Sequence, residues 1–455
     1  MSFRRILIAN RGEIALRIQA ACRARNLAWV QAYSEADADS LPVRSSDHTI
    51  LLGAAAVAYS YGNAARVIAA AQEAGCDAIH PGYGFLSENA DFAADCEAAG
   101  ITFIGPQADI IRRMGDKATA RRIAQGAGVP VIPGSEGPVS AEDGAALADR
   151  IGFPLLIKAA AGGGGRGMRI VPDAGSFARA YEGAAREAEA AFGSGAMYLE
   201  RYLEKVRHIE VQIFGDGTRF VHLGERDCST QRRHQKLVEE APAAGLAADL
   251  VAEIREAALG LARAVGYRNA GTVEFVVDMT TGDFYFIEMN TRIQVEHPVT
   301  EAVTGLDLVA EQIAVAEGQP LSWRQEDITI TGHAIECRVN AEDPAKGFMP
   351  RPGTITSYAA PTAPGLRIDS HLEQGHTLPA QYDSMLAKVI VIAPTRTAAI
   401  EAMKQALAAY EIEGVPTTIP FLLELMDDPV FGAARIHTRY VRDVMWKGRP
   451  LQQML

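Results

Sequence analysis

Short apolar runs alternate with helix-like periodicity over residues 3–104. Ile6-Leu7-Ile8-Ala9 is an unbroken apolar run of strand length, and Glu13 to Arg23 repeats apolar residues at helical spacing. Trp29-Val30 reads as a second strand, Ala64 to Ala74 as a helix and Ala78-Ile79 as a short strand. Glu88 to Ala98 is helical and Thr102-Phe103-Ile104 is strand-like. This alternation predicts a parallel, doubly wound sheet. Such sheets take ligands beyond the carboxyl ends of their strands, where Asn10-Arg11-Gly12-Glu13 and His80-Pro81-Gly82-Tyr83-Gly84-Phe85 fall. No G-x-G-x-x-G follows the first strand, so the dinucleotide fingerprint is absent.

The pattern then changes. A linker rich in Pro and Gly, Val129 to Pro138, leads into a small α+β segment with Phe153 to Lys158, a glycine loop and Met168 to Val171. Residues 206–325 read as strands, a helix near 248–265 and a hairpin. Residues 330–447 begin with strand-like runs, His333 to Val339 and Met385 to Ile392, and end in helical patterns near 397–411 and 418–425. A length of 455 residues fits about three domains. The formal charge of −12 argues against a duplex nucleic-acid binder, which needs a basic excess. Five cysteines with no C-x-x-C pair point to a reducing compartment and away from a zinc site. No apolar run is long enough for a membrane span, and a strand follows the N-terminus with no signal-peptide pattern, so a cytoplasmic protein is expected.

The glycine loop runs from Lys158 through Gly162-Gly163-Gly164-Gly165-Arg166-Gly167. Consecutive glycines allow close backbone approach, with N–H groups turned onto an anion such as a triphosphate. A flexible hairpin tip is the other use of such a run. The loop is not a Walker motif, because its Lys precedes the glycines.

Thr272 to Asp278 and Phe284 to Asn290 read as strands joined through Thr281-Gly282-Asp283. A register with Asp278 facing Phe284 puts Glu274 opposite Glu288. Opposed like charges destabilise a sheet unless a cation sits between them, and oxygen donors of this kind suit Mg²⁺ or Mn²⁺. Glu288, Asn290, Arg292, Gln294 and Glu296 then occupy every second position, with Met289, Thr291, Ile293 and Val295 between them. An extended segment presents all five polar groups on one side, either as a solvated face or as a metal and anion wall. Arg292 suits a planar carboxylate or bicarbonate, and Glu296 beside it suits a base. Gln231-Arg-Arg-His234-Gln-Lys236 is a basic cluster in an acidic protein, either a solvated run or a set of anion contacts. His208 and His297 taken alone are structural, Arg338 taken alone is a surface arginine, and Cys228 and Cys337 are buried or bystander thiols with no assigned role.

Phe153-Pro-Leu-Leu-Ile-Lys158 with its glycine loop, followed by Phe286-Ile-Glu-Met-Asn-Thr-Arg292, resembles the paired signatures of ATP-grasp carboxylases and carbamoyl-phosphate synthetases. Further motifs narrow the match. They are Ala9-Asn-Arg-Gly-Glu-Ile-Ala15, His80-Pro-Gly-Tyr-Gly-Phe-Leu-Ser-Glu-Asn89 and Arg226-Asp-Cys-Ser-Thr-Gln-Arg-Arg-His-Gln-Lys236. Arg292-Ile-Gln-Val-Glu-His-Pro298 and Gly332-His-Ala-Ile-Glu-Cys-Arg338 complete the set. From about residue 3 to 445 the chain resembles the biotin carboxylase family.

The resemblance implies an ATP-grasp fold of α/β and α+β type. Its parts are a doubly wound N-terminal domain (1–114), an ATP-grasp domain (115–325) with a mobile lid near 130–205, and a C-terminal domain (330–447). Lys117, Lys158, Gly164, Gly165, His208, Gln231, His234, Glu274 and Glu288 are the implied ATP contacts, and Glu200, Arg201, Tyr202 and Leu203 hold the adenine edge. Glu274, Glu288 and Asn290 hold two Mg²⁺ or Mn²⁺ ions. Lys236, Arg292, Gln294 and the Val295 backbone bind bicarbonate, with Glu296 as base. Arg338 faces the biotin ureido oxygen, with Tyr83 and Asp383 nearby.

The implied reaction carboxylates biotin on a separate carrier protein, through carboxyphosphate, as the first half-reaction of an acyl-CoA carboxylase, acetyl-CoA carboxylase above all. A carboxyltransferase and a homodimer are the implied partners, with no nucleic acid and no membrane. Arg201 stands where the family usually has Lys, at a contact made largely by backbone, and residues 41–63 depart from the family, reading Arg44-Ser-Ser-Asp-His48 and Ser60-Tyr-Gly-Asn63. The alternatives are another ATP-grasp carboxylate–amine ligase, which does not need the Arg292 to His297 run or Arg338, and a non-catalytic homologue, which should have lost Glu288, Arg292 or Glu296. Glu401-Ala-Met-Lys404 is similar to the tetrapeptide around a biotinylated lysine, but Gln405 follows and Ala399 to Tyr410 has helical composition, so biotin is expected on another protein.

Overall fold

A computed structural model describes residues 2–159, 168–192 and 194–446. The glycine loop, with Gly164, Gly165 and Arg166, lies outside the described residues. The chain divides into two compact units, one of residues 1–129, 207–275 and 287–455, the other of 130–206 and 276–286.

The first unit opens with the parallel sheet that the alternation predicts. Its strands lie in the order Thr49–Gly53, Ala28–Ser34, Arg5–Ile8, Ala78–His80, Thr102–Phe103. Successive residues of a strand face opposite sides. Ile6 and Ile8 therefore pack with Ile18, Val309 and Ile313 on one face, while Leu7 packs with Ile79, Val67 and Phe92 on the other. Both faces are covered, which is why the strand is apolar throughout. The divergent segment supplies the short helix Leu41–Arg44 and the edge strand Thr49–Gly53, which buries only Leu52.

The same unit contains most of an eight-stranded sheet. Its order is Phe284–Asn290, Arg268–Asp278, Val206–Asp216, Phe220–Arg232, Gln235–Ala241, His333–Asn340, Met385–Ala393, Leu366–Ser370. Gln235–Ala241 pairs antiparallel with His333–Asn340, so one sheet continues across the sequence gap between residues 325 and 330. One of its faces packs Ile335, Cys337, Val389 and Val391 on Met403, Leu407 and Leu422 of the C-terminal helices. On the opposite face Glu239 pairs with Glu336 and Arg338 with Lys388. That face lies against helix His297–Thr304, where Val299 and Val303 pack on Ala241, Ala334 and Ile390. Buried charge under one helix is the feature that positions the site.

In the second unit, strands Arg169–Val171, Leu155–Ala159 and Met197–Arg201 form an antiparallel sheet. Helices Ala141–Ile151 and Ala174–Phe192 contribute Ala148, Phe177 and Tyr181 to a core with Leu155, Ile157 and Leu199. Ser140 caps the first helix by accepting from the Asp143 N–H at 3.1 Å. Among the described residues no helix is long and apolar enough to cross a membrane.

The fold carries an acid-labile group. His80 is buried, and burial with the Arg17 charge lowers its pKa from 6.5 to about 3. Unfolded chains bind a proton at this ring below pH 6.5 and the folded chain does not, so stability falls as pH drops through that window. The expected slope from this group approaches 1.4 kcal/mol per pH unit, about one pKa unit's worth. Denaturant titrations at a series of pH values check it: His80→Asn flattens the slope, and an unchanged slope refutes the assignment.

Candidate active site

The acid hairpin forms, with strands Arg268–Asp278 and Phe284–Asn290. Glu274 is buried and its carboxylate is surrounded by donors. Oε1 accepts from Lys236 Nζ and Asn290 Nδ2 at 3.0 Å and from Gln294 Nε2 at 2.9 Å, and Oε2 lies 3.0 Å from His208 Nε2. Burial pushes its pKa up, but Lys236 and His208 more than offset this and hold it well below the carboxylate range. Glu288 differs. Its side chain is 40% exposed, with Lys117 Nζ at 3.9 Å, and burial and the Glu274 charge push its pKa up. One acid of the hairpin is thus neutralised by its neighbours, while the other is half-exposed with its proton affinity raised. Glu288 with the Asn290 amide and the far oxygen of Glu274 is a donor set that fits a hard divalent cation.

The extended segment expected through Glu296 is corrected. The strand ends at Asn290 and the chain turns, so that Glu296, with φ −81° and ψ 10°, starts helix His297–Thr304. Pro298 at the first turn of that helix and Gly305 after its end fit its limits. Despite the turn, Glu288, Asn290, Arg292, Gln294, Val295 and Glu296 all line one cavity of about 680 Å³. Tyr83, Lys117, His208, Gln231, His234, Glu274, Lys236, Arg338 and Asp383 line it too. Another cavity of about 680 Å³, beside Arg17, Glu301, Arg367 and Asp369, has its charges paired: Arg17 with Glu301 at 2.6 Å and Arg367 with Asp369 at 2.7 Å.

Lys236 sits centrally. Its ammonium lies 2.5 Å from Glu210 Oε2, 2.5 Å from Glu296 Oε1 and 3.0 Å from Glu274 Oε1. Burial alone lowers a lysine pKa, but Glu210 and Glu296 raise this one well above its usual value. Glu296 is buried, and burial is outweighed by Lys236 and Arg338, which hold it ionised. Arg338 donates from Nε to Glu239 at 2.6 Å and from Nη2 to Glu296 at 3.0 Å. It is a cavity arginine, not the surface residue it resembles in isolation.

Arg292 donates to Glu88 at 2.8 Å and to the Asn290 amide oxygen at 2.8 Å. Lys388, fully buried, donates to the Val295 carbonyl at 3.0 Å and pairs with Glu13 at 3.0 Å, while Tyr83 donates to Glu13. Gln231 reaches His208 Nδ1 at 3.0 Å. His234 sits in the turn after Phe220–Arg232, with φ +64°. Asp383 is exposed. In the second unit Lys158 pairs with Glu200, and the Arg201 and Tyr202 N–H groups donate to Pro133 and Pro154 carbonyls at 2.8 and 3.0 Å. Leu203 follows them in a half-buried position.

Several residues escaped the sequence reading. Glu210 stands two positions from His208 on one strand, and strand periodicity alone would have put it on the same face. Glu88 lies inside a motif already singled out. Glu239 and Lys388 carry no local signal beyond a charge within an apolar strand. Cys228 is buried, as expected, but close to the site: its thiol lies 4.0 Å from Glu296 Oε1 and is held protonated, mainly by burial.

Removing the central cation has a defined cost. Lys236→Met leaves three carboxylates without their shared partner, which should lower stability by about 3–5 kcal/mol. The remaining acids then bind protons more tightly folded than unfolded, so the penalty grows as pH rises from about 5 to about 8. Chemical denaturation at both pH values reads this directly, and a pH-independent penalty contradicts the charge account.

Family comparisons agree with this geometry. The family model for the biotin carboxylase N-terminal domain matches residues 2–111. The carbamoyl-phosphate synthase L chain ATP-binding domain matches 116–324, and the biotin carboxylase C-terminal domain matches 336–443. The chain is 50% identical over 446 residues to a biotin carboxylase of a Nostoc species, covering 98% of this chain and 100% of that protein. It is 49% identical over 441 residues to a pyruvate carboxylase subunit from Methanothermobacter thermautotrophicus, covering 96% of this chain and 89% of that protein. The solved biotin carboxylase domain of a thermophilic 2-oxoglutarate carboxylase, bound to bicarbonate, superposes with a TM-score of 0.93 at 45% identity, over 97% of this chain and 98% of that one. The charged residues that line the cavity all fall within the matched segments, and the chain belongs to the biotin carboxylase family of ATP-dependent ligases.

Proposed function

We propose that this chain uses ATP and bicarbonate to carboxylate biotin presented by a separate carrier protein. The observation that carries the reading is the single cavity that joins the Glu274 and Glu288 acids to the Lys236, Arg292 and Arg338 cations and to Glu296. Lys236, Arg292, Gln294 and the Val295 backbone are assigned to bicarbonate, a planar anion that suits a guanidinium. Glu296, already ionised, takes the bicarbonate proton. A carbonate oxygen then attacks the γ-phosphorus of ATP, ADP leaves, and carboxyphosphate forms. Its breakdown gives CO₂ and phosphate, and phosphate accepts the proton of biotin N1′. The nitrogen adds to CO₂ while Arg338 offsets the charge that develops on the ureido oxygen. Tyr83 and Asp383 are assigned to the biotin side of the cavity.

Two divalent ions held by Glu274, Glu288 and Asn290 would supply charge shielding for the phosphate oxygens. In the first unit Lys117, His208, Gln231 and His234, with Glu274 and Glu288, are the proposed ATP contacts. Lys158 and Glu200 to Leu203 in the second unit, with Gly164 and Gly165, are assigned to ATP on the family resemblance. The three-part division at 1–114, 115–325 and 330–447 is proposed on the same ground. We also assign the chain to a cytoplasmic homodimer, a location that its buried, unpaired cysteines support. Acetyl-CoA, reached through a separate carboxyltransferase, is the proposed final acceptor. The similarity to keto-acid carboxylases makes pyruvate or 2-oxoglutarate the competing acceptor, which transfer assays with each candidate distinguish.

ADP release measured with bicarbonate and free biotin, each omitted in turn, tests the reading. Release should require bicarbonate and rise with biotin. Glu288→Gln should abolish release in a folded protein. Glu296→Ala should lower the maximal rate by about 10²-fold or more, as for loss of a general base. ADP release indifferent to bicarbonate refutes the proposal.

Lys404 lies on helix Arg396–Ala409, with its ammonium 2.7 Å from Asp427 and 3.1 Å from Glu401. A paired lysine on a helix is a poor acceptor for a swinging cofactor. Intact mass after co-expression with a biotin ligase should be unchanged, and a gain of one biotin on Lys404 would place the carrier site in this chain.

A further inference from the structure

Arg338 is bound by two carboxylates, one in the cavity and one behind it. Glu296 lines the cavity and accepts from Nη2 at 3.0 Å. Glu239 Oε1 accepts from Nε at 2.6 Å and lies 2.5 Å from Nη2. Glu239 is fully buried and does not border the cavity, and its hydrogen bond toward the cavity is to Arg338. We propose that Glu239 is the positioning residue for Arg338, holding the guanidinium back from Glu296 and available to biotin. The inference rests on the biotin carboxylase reading of the site.

The physics is a division of one cation between two anions. With both carboxylates charged, neither has the guanidinium to itself, and its position is a balance. Without the rear carboxylate, Arg338 collapses into a simple pair with Glu296. That pair withdraws the donor proposed for the ureido oxygen, so the step that uses biotin suffers more than the step that cleaves ATP.

The surroundings set when the rear carboxylate is charged. Strand His333–Asn340 presents Arg338 and Glu336 to Glu239, Lys236 lies on its own strand, and Glu296 comes from the start of helix His297–Thr304. The Cys228 and Cys337 thiols nearby stay protonated. Lys388 faces Glu336 rather than Glu239. Burial pushes the Glu239 carboxyl up to about 7, with Glu296 adding to the rise and Arg338 and Lys236 opposing it. Glu336, directly across the strand pair, is fully buried with neither oxygen hydrogen-bonded, and burial raises its pKa well above the usual carboxylate range.

Glu239→Gln keeps the shape and an acceptor but not the charge. We measure kcat/KM for free biotin against bicarbonate-dependent ADP release without biotin, at about pH 6 and about pH 8. The variant should lose about tenfold more in the biotin reaction than in ADP release near pH 8. The gap should shrink to about threefold or less near pH 6, where the wild-type carboxyl is itself protonated. Equal losses in both reactions at both pH values would mean a purely structural role and overturn the proposal. Glu336→Gln, on the same face but without contact to Arg338, should keep the biotin kcat/KM within about threefold, and a loss equal to that of Glu239→Gln also overturns it. If Glu239→Gln does not fold, Glu239→Asp, which withdraws the charge by one methylene, must give the same differential loss. Wild-type protein whose ADP release ignores bicarbonate or biotin defeats the reading beneath, whereas a wild type that responds to both, with equal losses in Glu239→Gln, defeats this inference alone.

Discussion

One ammonium group holds the site together. Lys236 neutralises Glu210, Glu274 and Glu296 at once, on three different segments of the chain. Gathering three buried carboxylates around one point is costly without a shared cation, because charge in a low-dielectric interior is stable only when paired. The lysine thus fixes the ionisation of the acid on the hairpin strand and of the acid at the start of helix His297–Thr304. It also fixes their spacing, since each must lie within reach of one nitrogen.

A second cation extends the arrangement into the interior. Arg226 is fully buried and donates to Glu210, Gln212, Thr272 and Thr300. Its partners come from neighbouring strands and from helix His297–Thr304, so it ties the helix to the sheet directly below the cavity. Glu210 bridges Arg226 and Lys236, which makes it the joint between scaffold and site. Such a network is stable only when complete, and it confers rigidity where anion binding needs donors fixed in advance.

The sequence revealed these parts unevenly. Helix Ala248–Val265 and the acid hairpin were legible because periodicity and turn residues act locally. Edge strand Thr49–Gly53 was not, since a mostly exposed strand shows little apolar alternation. The turn between Asn290 and His297 was hidden for another reason: alternating polar residues describe a strand as well as a loop that wraps a cavity. The pairing of Glu239 with Glu336 joins strands almost a hundred residues apart, and no local pattern encodes it. Family motifs carried Arg338 into the site, where composition alone would have left it on the surface.

The ionised state of Glu296 bears on how it could act as a base. A carboxylate bound to Lys236 and Arg338 has little affinity for a proton, and its pKa is held low by those same cations. On the proposed reading, bicarbonate is bound by Lys236 together with Arg292. An arriving anion therefore competes with Glu296 for the lysine, and each interaction lost by Glu296 raises its proton affinity. The substrate would strengthen the base by occupying the base's own partner. In the absence of bicarbonate, Glu296 remains ionised and ready. The same competition accounts for two cations beside one base, since a lone carboxylate in so buried a place would be protonated before substrate arrived.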